Sequence, residues 1–241
     1  EFSRSCDPEL ARVAEHCRYR LYDLETRLLA DQSRRQRLAA ERLYLITSPV
    51  PQLLAVVEQT LQAGVKLVQH RSKLSDDLPR YQEAVALRDL CAAHGALFIV
   101  NDRVDLALAV EADGVHLGQG DLPPAQARRL LGPDRLIGRS THAPVQLQQA
   151  MADGCDYAGV GPLQATPTKP GREPVGLEYL RQASEMATIP HYAIGGVDAQ
   201  LLPALLEAGG SRCRVAVVRA VMEAADPAAA TRELLELLGD G

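Results

Sequence analysis

Tryptophan is absent from this 241-residue chain, phenylalanine occurs twice, and all aromatic residues together make up 4% of it. The 46% hydrophobic content must then be carried mostly by Leu, Ala, Val and Ile, which predicts an aliphatic globular core. Lysine is almost missing as well: of 26 basic residues only Lys66, Lys73 and Lys169 are lysine. In a chain that otherwise writes positive charge as arginine, each lysine invites a functional question, because an ammonium is a compact point charge that fits beside a phosphate. There is no dense basic run or exposed aromatic series, and the net charge is -5, which argues against nucleic acid as a partner. No apolar run approaches the ~20 residues that span a bilayer, so no membrane partner is expected. The polar start EFSRSCDPEL does not read as a signal peptide. Cys6, Cys17, Cys91, Cys155 and Cys213 are scattered singly, odd in number and without a Cys-x-x-Cys pair. That pattern predicts a reducing compartment, the cytoplasm, rather than a disulfide framework or zinc site.

What is present is an alternation. From Leu43 onward, eight short strand patterns are each followed by a helical one: LYLIT (43–47), VKLVQHR (65–71), LFIV (97–100), GVHL (114–117), RLIGRS (135–140), DYAGVG (156–161), HYAI (191–194) and RVAVV (214–218). Several of the helical stretches start with Pro in the first turn, and others end before Gly64, Gly95, Gly132, Gly154 or Gly209. Eight such units in about 200 residues predict a closed (β/α)8 TIM barrel over residues 41–241, the catalytic domain. Residues 1–40 are charged and helical in pattern, and read as a short N-terminal extension or linker. An open doubly wound sheet is the fallback, but the early Gly-x-Gly-x-x-Gly turn of a dinucleotide fold is missing.

In a barrel of this kind chemistry sits at the C-terminal ends of the strands. Strand three ends at Asn101-Asp102, and the turn after strand four closes on Asp121, so neighbouring turns each deliver a carboxylate to the same rim. Two carboxylates suit Mg²⁺, whose other positions are filled by water and substrate phosphate oxygens. The plainer reading makes Asp102 and Asp121 N-caps of the helices that follow. Strand two ends VQHRSK, and alternation places Gln69, Arg71 and Lys73 on one side with His70 and Ser72 on the other. These donors suit a polyanion such as pyrophosphate, since uncompensated charge inside a barrel is costly. Strand five offers Ser140, Thr141 and His142. The long loop after strand six holds Thr166, Thr168 and Lys169 among Gly and Pro residues, as a mobile flap would. Strand seven ends at Gly195-Gly196 and strand eight at Val218-Arg219, where backbone N–H groups can meet a phosphate.

Together QxRxK, ND, HLGQGD, GRSTH, TPTK and IGG, in this order, resemble the thiamine phosphate synthase family through nearly the whole barrel. The resemblance implies a Mg²⁺-dependent transferase that condenses 4-amino-2-methyl-5-hydroxymethylpyrimidine diphosphate with a thiazole phosphate or its carboxylate, releasing pyrophosphate. It implies that Gln69, Arg71, Lys73, Asn101, Ser140 and Lys169 hold the pyrimidine diphosphate, with Arg71, Lys73, Ser140 and Lys169 acting on the leaving group. Asp102 and Asp121 would bind Mg²⁺, and Thr166, Thr168, Gly196, Val218 and Arg219 would surround the thiazole phosphate. The chain departs from the family pattern at His70, Ser72 and Arg219; by alternation the first two face away from the site, and Arg219 falls at the thiazole phosphate pocket. The segment ARVAEHCRYRL is similar to part of the helical extension of some cyanobacterial members. A homo-oligomer is compatible with the sequence. The competing readings are a thiazole tautomerase using His142 as acid or base, and a phosphate-ligand-binding barrel without turnover.

Overall fold

The computed structural model describes residues 9, 12–13, 15–20, 34–165, 173–210 and 213–239. Eight parallel strands close in sequence order, with β1 (Leu43–Ile46) paired to β2 (Leu67–His70) on one side and to β8 (Arg214–Val217) on the other. Between them run β3 (Leu97–Asn101), β4 (Gly114–Leu117), β5 (Leu136–Thr141), β6 (Tyr157–Val160) and β7 (His191–Ile194). The expected (β/α)8 barrel is the fold, and all eight strands fall on the stretches read from the sequence. Residues 34–40 form the helix α1 below the barrel. The crossovers are α2 (Leu53–Gln62), α3 (Asp77–Ala93), α4 (Val104–Ala109), α5 (Pro124–Leu131), α6 (Pro144–Ala152), α7 (Gly176–Met186) and α8 (Leu202–Gly209), and α10 (Pro227–Leu238) closes the outer ring.

A strand turns alternate side chains to opposite faces, so each barrel strand feeds two cores. Outward residues such as Val68, Phe98, Val115 and Val215 pack under the helices. Inward residues fill the lumen: Leu67, Leu97, Ile99, Leu136, Ala216 and, against expectation, Tyr44, Tyr157 and Tyr192. The lumen is therefore not purely aliphatic. The three rings meet edge to face with centroids 5.2–5.8 Å apart, a favoured arrangement for aromatic quadrupoles. Gly138 makes room for them, since a Cβ there would lie 2.1 Å from the Tyr157 ring.

The same two-residue step leads upward from the lumen to the mouth. Leu67 is followed on the inward face by Gln69 and then Arg71, Ile99 by Asn101, Gly138 by Ser140, and Ala216 by Val218. Apolar side chains thus give way to polar ones at one level of the barrel. The floor is closed by α1, whose Leu38 is 1% exposed and packs in the lumen cluster. The carbonyls of Leu38 and Glu41 accept hydrogen bonds from the Tyr192 hydroxyl at 3.2 and 3.0 Å. Arg34 pairs with Asp113 at 2.9 Å and Arg35 with Asp156 at 2.7 Å. The helix agrees with the helical pattern in the sequence, but these contacts tie residues 34–40 to the barrel, where the sequence suggests a solvated helix or linker. A second difference lies after β8, where the strand stops at Val217 and a short helix α9 (Arg219–Met222) follows.

Candidate active site

A cavity of about 410 Å³ opens at the C-terminal mouth. Gln69, Arg71, Asn101 and Ser140 enter it from β2, β3 and β5, and Gly161, Gly195, Gly196, Val218 and Arg219 bound the opposite side. Two of the expected half-sites, one made of side chains and one made of backbone, therefore share one space.

The side-chain half is held from below. Gln69 Nε2 donates to Tyr44 Oη at 2.7 Å, and Tyr44 Oη lies 2.8 Å from Tyr157 Oη. Tyr157 Oη is 3.2 Å from Nδ1 of His116, whose Nε2 is 2.9 Å from Ser140 Oγ. Burial pushes the Tyr44 and Tyr157 phenols well up from their ordinary range, so they remain protonated. The Ser140 carbonyl accepts from Gln119 Nε2 at 2.7 Å, which pins the end of β5 to the turn after β4. His116 and Gln119 were not singled out from the sequence. The signal was there for His116, the inward position of β4 two residues beyond Gly114.

Alternation at β2 holds through Arg71, but Ser72 and Lys73, expected on opposite sides, line one and the same cleft. His70 faces outward, bonded to Glu83 of α3 at 2.8 Å and stacked on Phe98, and burial lowers its pKa. Lys73 does not reach the main cavity. It lines an adjoining cleft of about 420 Å³ with Ser48, Ser72 and Leu74, and Arg71 lines both spaces.

Neither Asp102 nor Asp121 is a helix cap. The N-cap positions of α4 and α5 are Arg103 and Pro123, whereas Asp226 shows what a cap looks like, accepting from Ala229 N at 2.8 Å. Asp102 sits in a left-handed turn with φ 63°, just beyond the paired residues Asn101 and His116 of β3 and β4. A non-glycine residue there is uncommon and ends the strand before the helix can start, which is why α4 begins at Val104 rather than at Asp102. Asp121 folds back within its own turn and accepts from Gly118 N at 2.6 Å. Neither aspartate lines the main cavity, and no cluster of three or more metal-ligating side chains occurs among the described residues.

The backbone half depends on glycine. Gly195 and Gly196 have φ 101° and 76°, and a Cβ on Gly195 would lie 2.6 Å from Pro162. Leu163 N and Gln164 N donate to the carbonyls of Ile194 and Gly195 at 2.8 and 3.2 Å, and Val175 N donates to Pro162 O at 2.8 Å. Both ends of the loop after β6 are thereby anchored beside the glycine turn. Thr166, Thr168 and Lys169 lie outside the described residues. His142 lines the cavity too, its Nδ1 against the Gly161 carbonyl and its backbone N–H on Gln146 Oε1 at 2.8 Å.

An eight-stranded α/β barrel with convergent polar groups at the strand C-termini and an exposed glycine turn after β7 defines the class of phosphate-handling barrel enzymes. Within that class the chain belongs to the thiamine monophosphate synthase family, whose pattern matches residues 43–221. A thiamine-phosphate synthase of Gloeobacter violaceus is 54% identical over 100% of this chain and 70% of that protein. One from Synechocystis is 52% identical over 99% of this chain and 68% of that protein. Among solved structures, a thiamine phosphate pyrophosphorylase of Pyrococcus furiosus superposes with a TM-score of 0.76 at 36% identity, covering 84% of this chain and 97% of that one.

Proposed function

We propose that the cavity joins an aminopyrimidine diphosphate to a thiazole phosphate, forming thiamine phosphate and releasing pyrophosphate. The observation that carries this reading is the single cavity in which Gln69, Arg71, Asn101 and Ser140 face the backbone turns of β6, β7 and β8. A one-substrate isomerase needs only the second half. The close relatives are named for the same transfer.

The geometry supports a division of labour. Gln69 and Asn101 reach in from adjacent strands to hold the pyrimidine. Arg71 borders both the main cavity and the cleft that contains Lys73, so a diphosphate lying across that border meets two cations in turn. Charge-assisted hydrogen bonds from Arg71 and Lys73, with the Ser140 hydroxyl, take up the negative charge that builds on the leaving oxygen. The carbon–oxygen bond of the pyrimidine methylene breaks with its electron pair on pyrophosphate, and the thiazole nitrogen supplies the pair for the new carbon–nitrogen bond. Ile46, Pro162, Ile194 and Ala216 line the wall between the half-sites and keep water from the electron-poor methylene. Thr166, Thr168 and Lys169 complete the site from the loop anchored at Leu163 and Val175, and Gly196, Val218 and Arg219 receive the thiazole phosphate.

The donor set fits Mg²⁺. Asp102 and Asp121 are hard oxygen ligands at neighbouring strand ends, and neither is used as a helix cap. A pair of carboxylates leaves coordination positions for substrate oxygens. When bound, the ion would neutralise diphosphate charge. No described helix is long and apolar enough to cross a membrane. Cys17, Cys91, Cys155 and Cys213 are free thiols, as suits a reducing compartment such as the cytoplasm.

Incubation with both substrates and Mg²⁺ should yield thiamine phosphate and pyrophosphate one to one, and neither substrate alone should react. Isomerisation of a thiazole substrate alone, with no coupling when all components are present, would replace this reading with the tautomerase.

A further inference from the structure

Four hydrogen bonds connect the two ligand-facing ends of the side-chain half-site, and they run through the lumen rather than around the mouth. Gln69 Nε2, Tyr44 Oη, Tyr157 Oη, His116 and Ser140 Oγ follow one another at 2.7, 2.8, 3.2 and 2.9 Å. Each phenol has one proton to pass on, and a neutral imidazole donates from one nitrogen and accepts at the other. These constraints give the chain a single direction once one end is fixed. With the Gln69 amide nitrogen on Tyr44, Tyr44 donates to Tyr157 and Tyr157 donates to Nδ1 of His116. The imidazole proton is then on Nε2 and points at Ser140 Oγ. The serine hydroxyl has received its hydrogen bond from the protein, so its own proton is left for the cavity. At the far end the Gln69 Oε1 is left for the cavity as an acceptor.

We infer that Tyr44, Tyr157 and His116 are positioning residues that set the polarity of both ends together, making Ser140 a donor and Gln69 an acceptor toward the ligand. The inference rests on the proposed transfer reaction: a donor at Ser140 meets an anionic leaving-group oxygen, and an acceptor at Gln69 meets an N–H of the pyrimidine. The opposite polarity would turn the serine proton toward His116 and present an amide N–H₂ to the pyrimidine. It would suit an oxo-substituted ring and would leave a serine oxygen facing a diphosphate. Burial raises the pKa of Tyr44 and Tyr157, so both phenols keep the proton that passes the order along the chain. The exposure of Tyr44 and Tyr157 is 1% and 0%, which denies water the chance to substitute for a missing link.

The test is a double-mutant cycle on kcat in the coupled assay. Tyr157→Phe removes one hydroxyl and keeps the ring that packs against Gly138, and is expected to lower kcat about tenfold with KM for the thiazole phosphate unchanged. In a Ser140→Ala background the same change should cost less than about twofold, because the group it acts through is gone. Equal loss in both backgrounds, or no loss in either, overturns the inference. Tyr44→Phe supplies a second readout: freed from its partner, Gln69 can present either face, so the preference for the amino-pyrimidine over its oxo analogue should fall about tenfold. An unchanged preference with intact thermal unfolding, or a wild-type enzyme that prefers the oxo ring, also overturns it. If the wild-type enzyme couples no substrates at all, the proposed function fails first, and that outcome is distinct from an additive cycle in an active enzyme.

Discussion

The two ends of the barrel use the same residue types to opposite purposes. At the floor, Asp156 accepts from Ile137 N at 2.8 Å while holding Arg35 and Arg128 at 2.7 and 2.6 Å, and Asp113 accepts from Phe98 N at 2.9 Å while holding Arg34. Each carboxylate there closes a strand edge and is matched by guanidinium groups. At the mouth, Asp102 and Asp121 sit in turns, and the cation Arg71 borders two cavities. The floor carboxylates are matched by guanidinium groups, whereas at the mouth the guanidinium of Arg71 borders open space. Mutation should therefore separate stability from activity along the barrel axis.

Deleting residues 1–40 should have the largest effect, and it acts on the floor. The deletion opens the lumen beneath Tyr192, removes the buried Leu38, and strips Asp113 and Asp156 of one arginine each. Loss of a fully buried leucine alone costs about 2 to 5 kcal/mol, against a typical total of about 5 to 15 kcal/mol. The truncated chain is expected to unfold at much lower urea than the full chain, with circular dichroism as the measure. An unchanged midpoint would restore the boundary at residue 40 that the sequence suggests, and with it a barrel that stands without α1.

Asp102→Ala or Asp121→Ala comes next, and tests the mouth. Turnover should fall about a hundredfold or more, roughly 2.7 kcal/mol in the barrier, and more Mg²⁺ should be needed, while the thermal midpoint holds. The floor counterpart Asp156→Ala should do the reverse. It costs about 2 to 3 kcal/mol of stability, less than a fully buried pair because its arginines keep some water, and leaves kcat of the folded fraction intact. The contrast between the ends breaks if Asp156→Ala abolishes turnover without destabilising, or if the mouth variants lower stability and leave the Mg²⁺ requirement as it was.

That same contrast explains what could be read without a structure. Strand count and strand positions follow from a two-residue period and the glycine and proline punctuation around it, and the same period turns Gln69 and Arg71 inward, whereas the roles of Asn101 and Ser140 come only with the family resemblance. The floor was hidden because Leu38 is one apolar residue in a run of arginines and glutamines, with no helical stripe to betray a buried face. The tyrosines were hidden because their shared level in the lumen depends on the register between β1, β6 and β7, which no single strand contains. Alternation carried Lys73 into the site as well, but β2 ends at His70 and strand geometry no longer governs a residue three positions on. The helices after β1 and β3 start only at Leu53 and Val104 because the chain turns left-handed first, at Gln52 and at Asp102.

The smallest effect is expected at Arg219, which lines the cavity, is proposed to receive the thiazole phosphate, and departs from the family pattern. The residue opens the four-residue helix α9 and its side chain is exposed, while Gly195, Gly196 and Val218 present backbone to the same cavity. The first N–H groups of a helix have no partner within it, so on the proposed reading they receive the phosphate whichever side chain stands at 219. A guanidinium that reached the phosphate would add a charge-assisted contact of about 1.5 to 3 kcal/mol, but an exposed cation is screened and must give up rotamer freedom to do so. Glu223, one turn further on, lines the same cavity and offers the arginine a competing partner of opposite charge. Arg219→Ser is therefore expected to weaken thiazole phosphate affinity by less than about tenfold, under ~1.4 kcal/mol, with kcat held. A hundredfold rise in KM would make Arg219 a principal phosphate ligand, a side-chain cation in the half-site that Gly195, Gly196 and Val218 otherwise furnish with backbone.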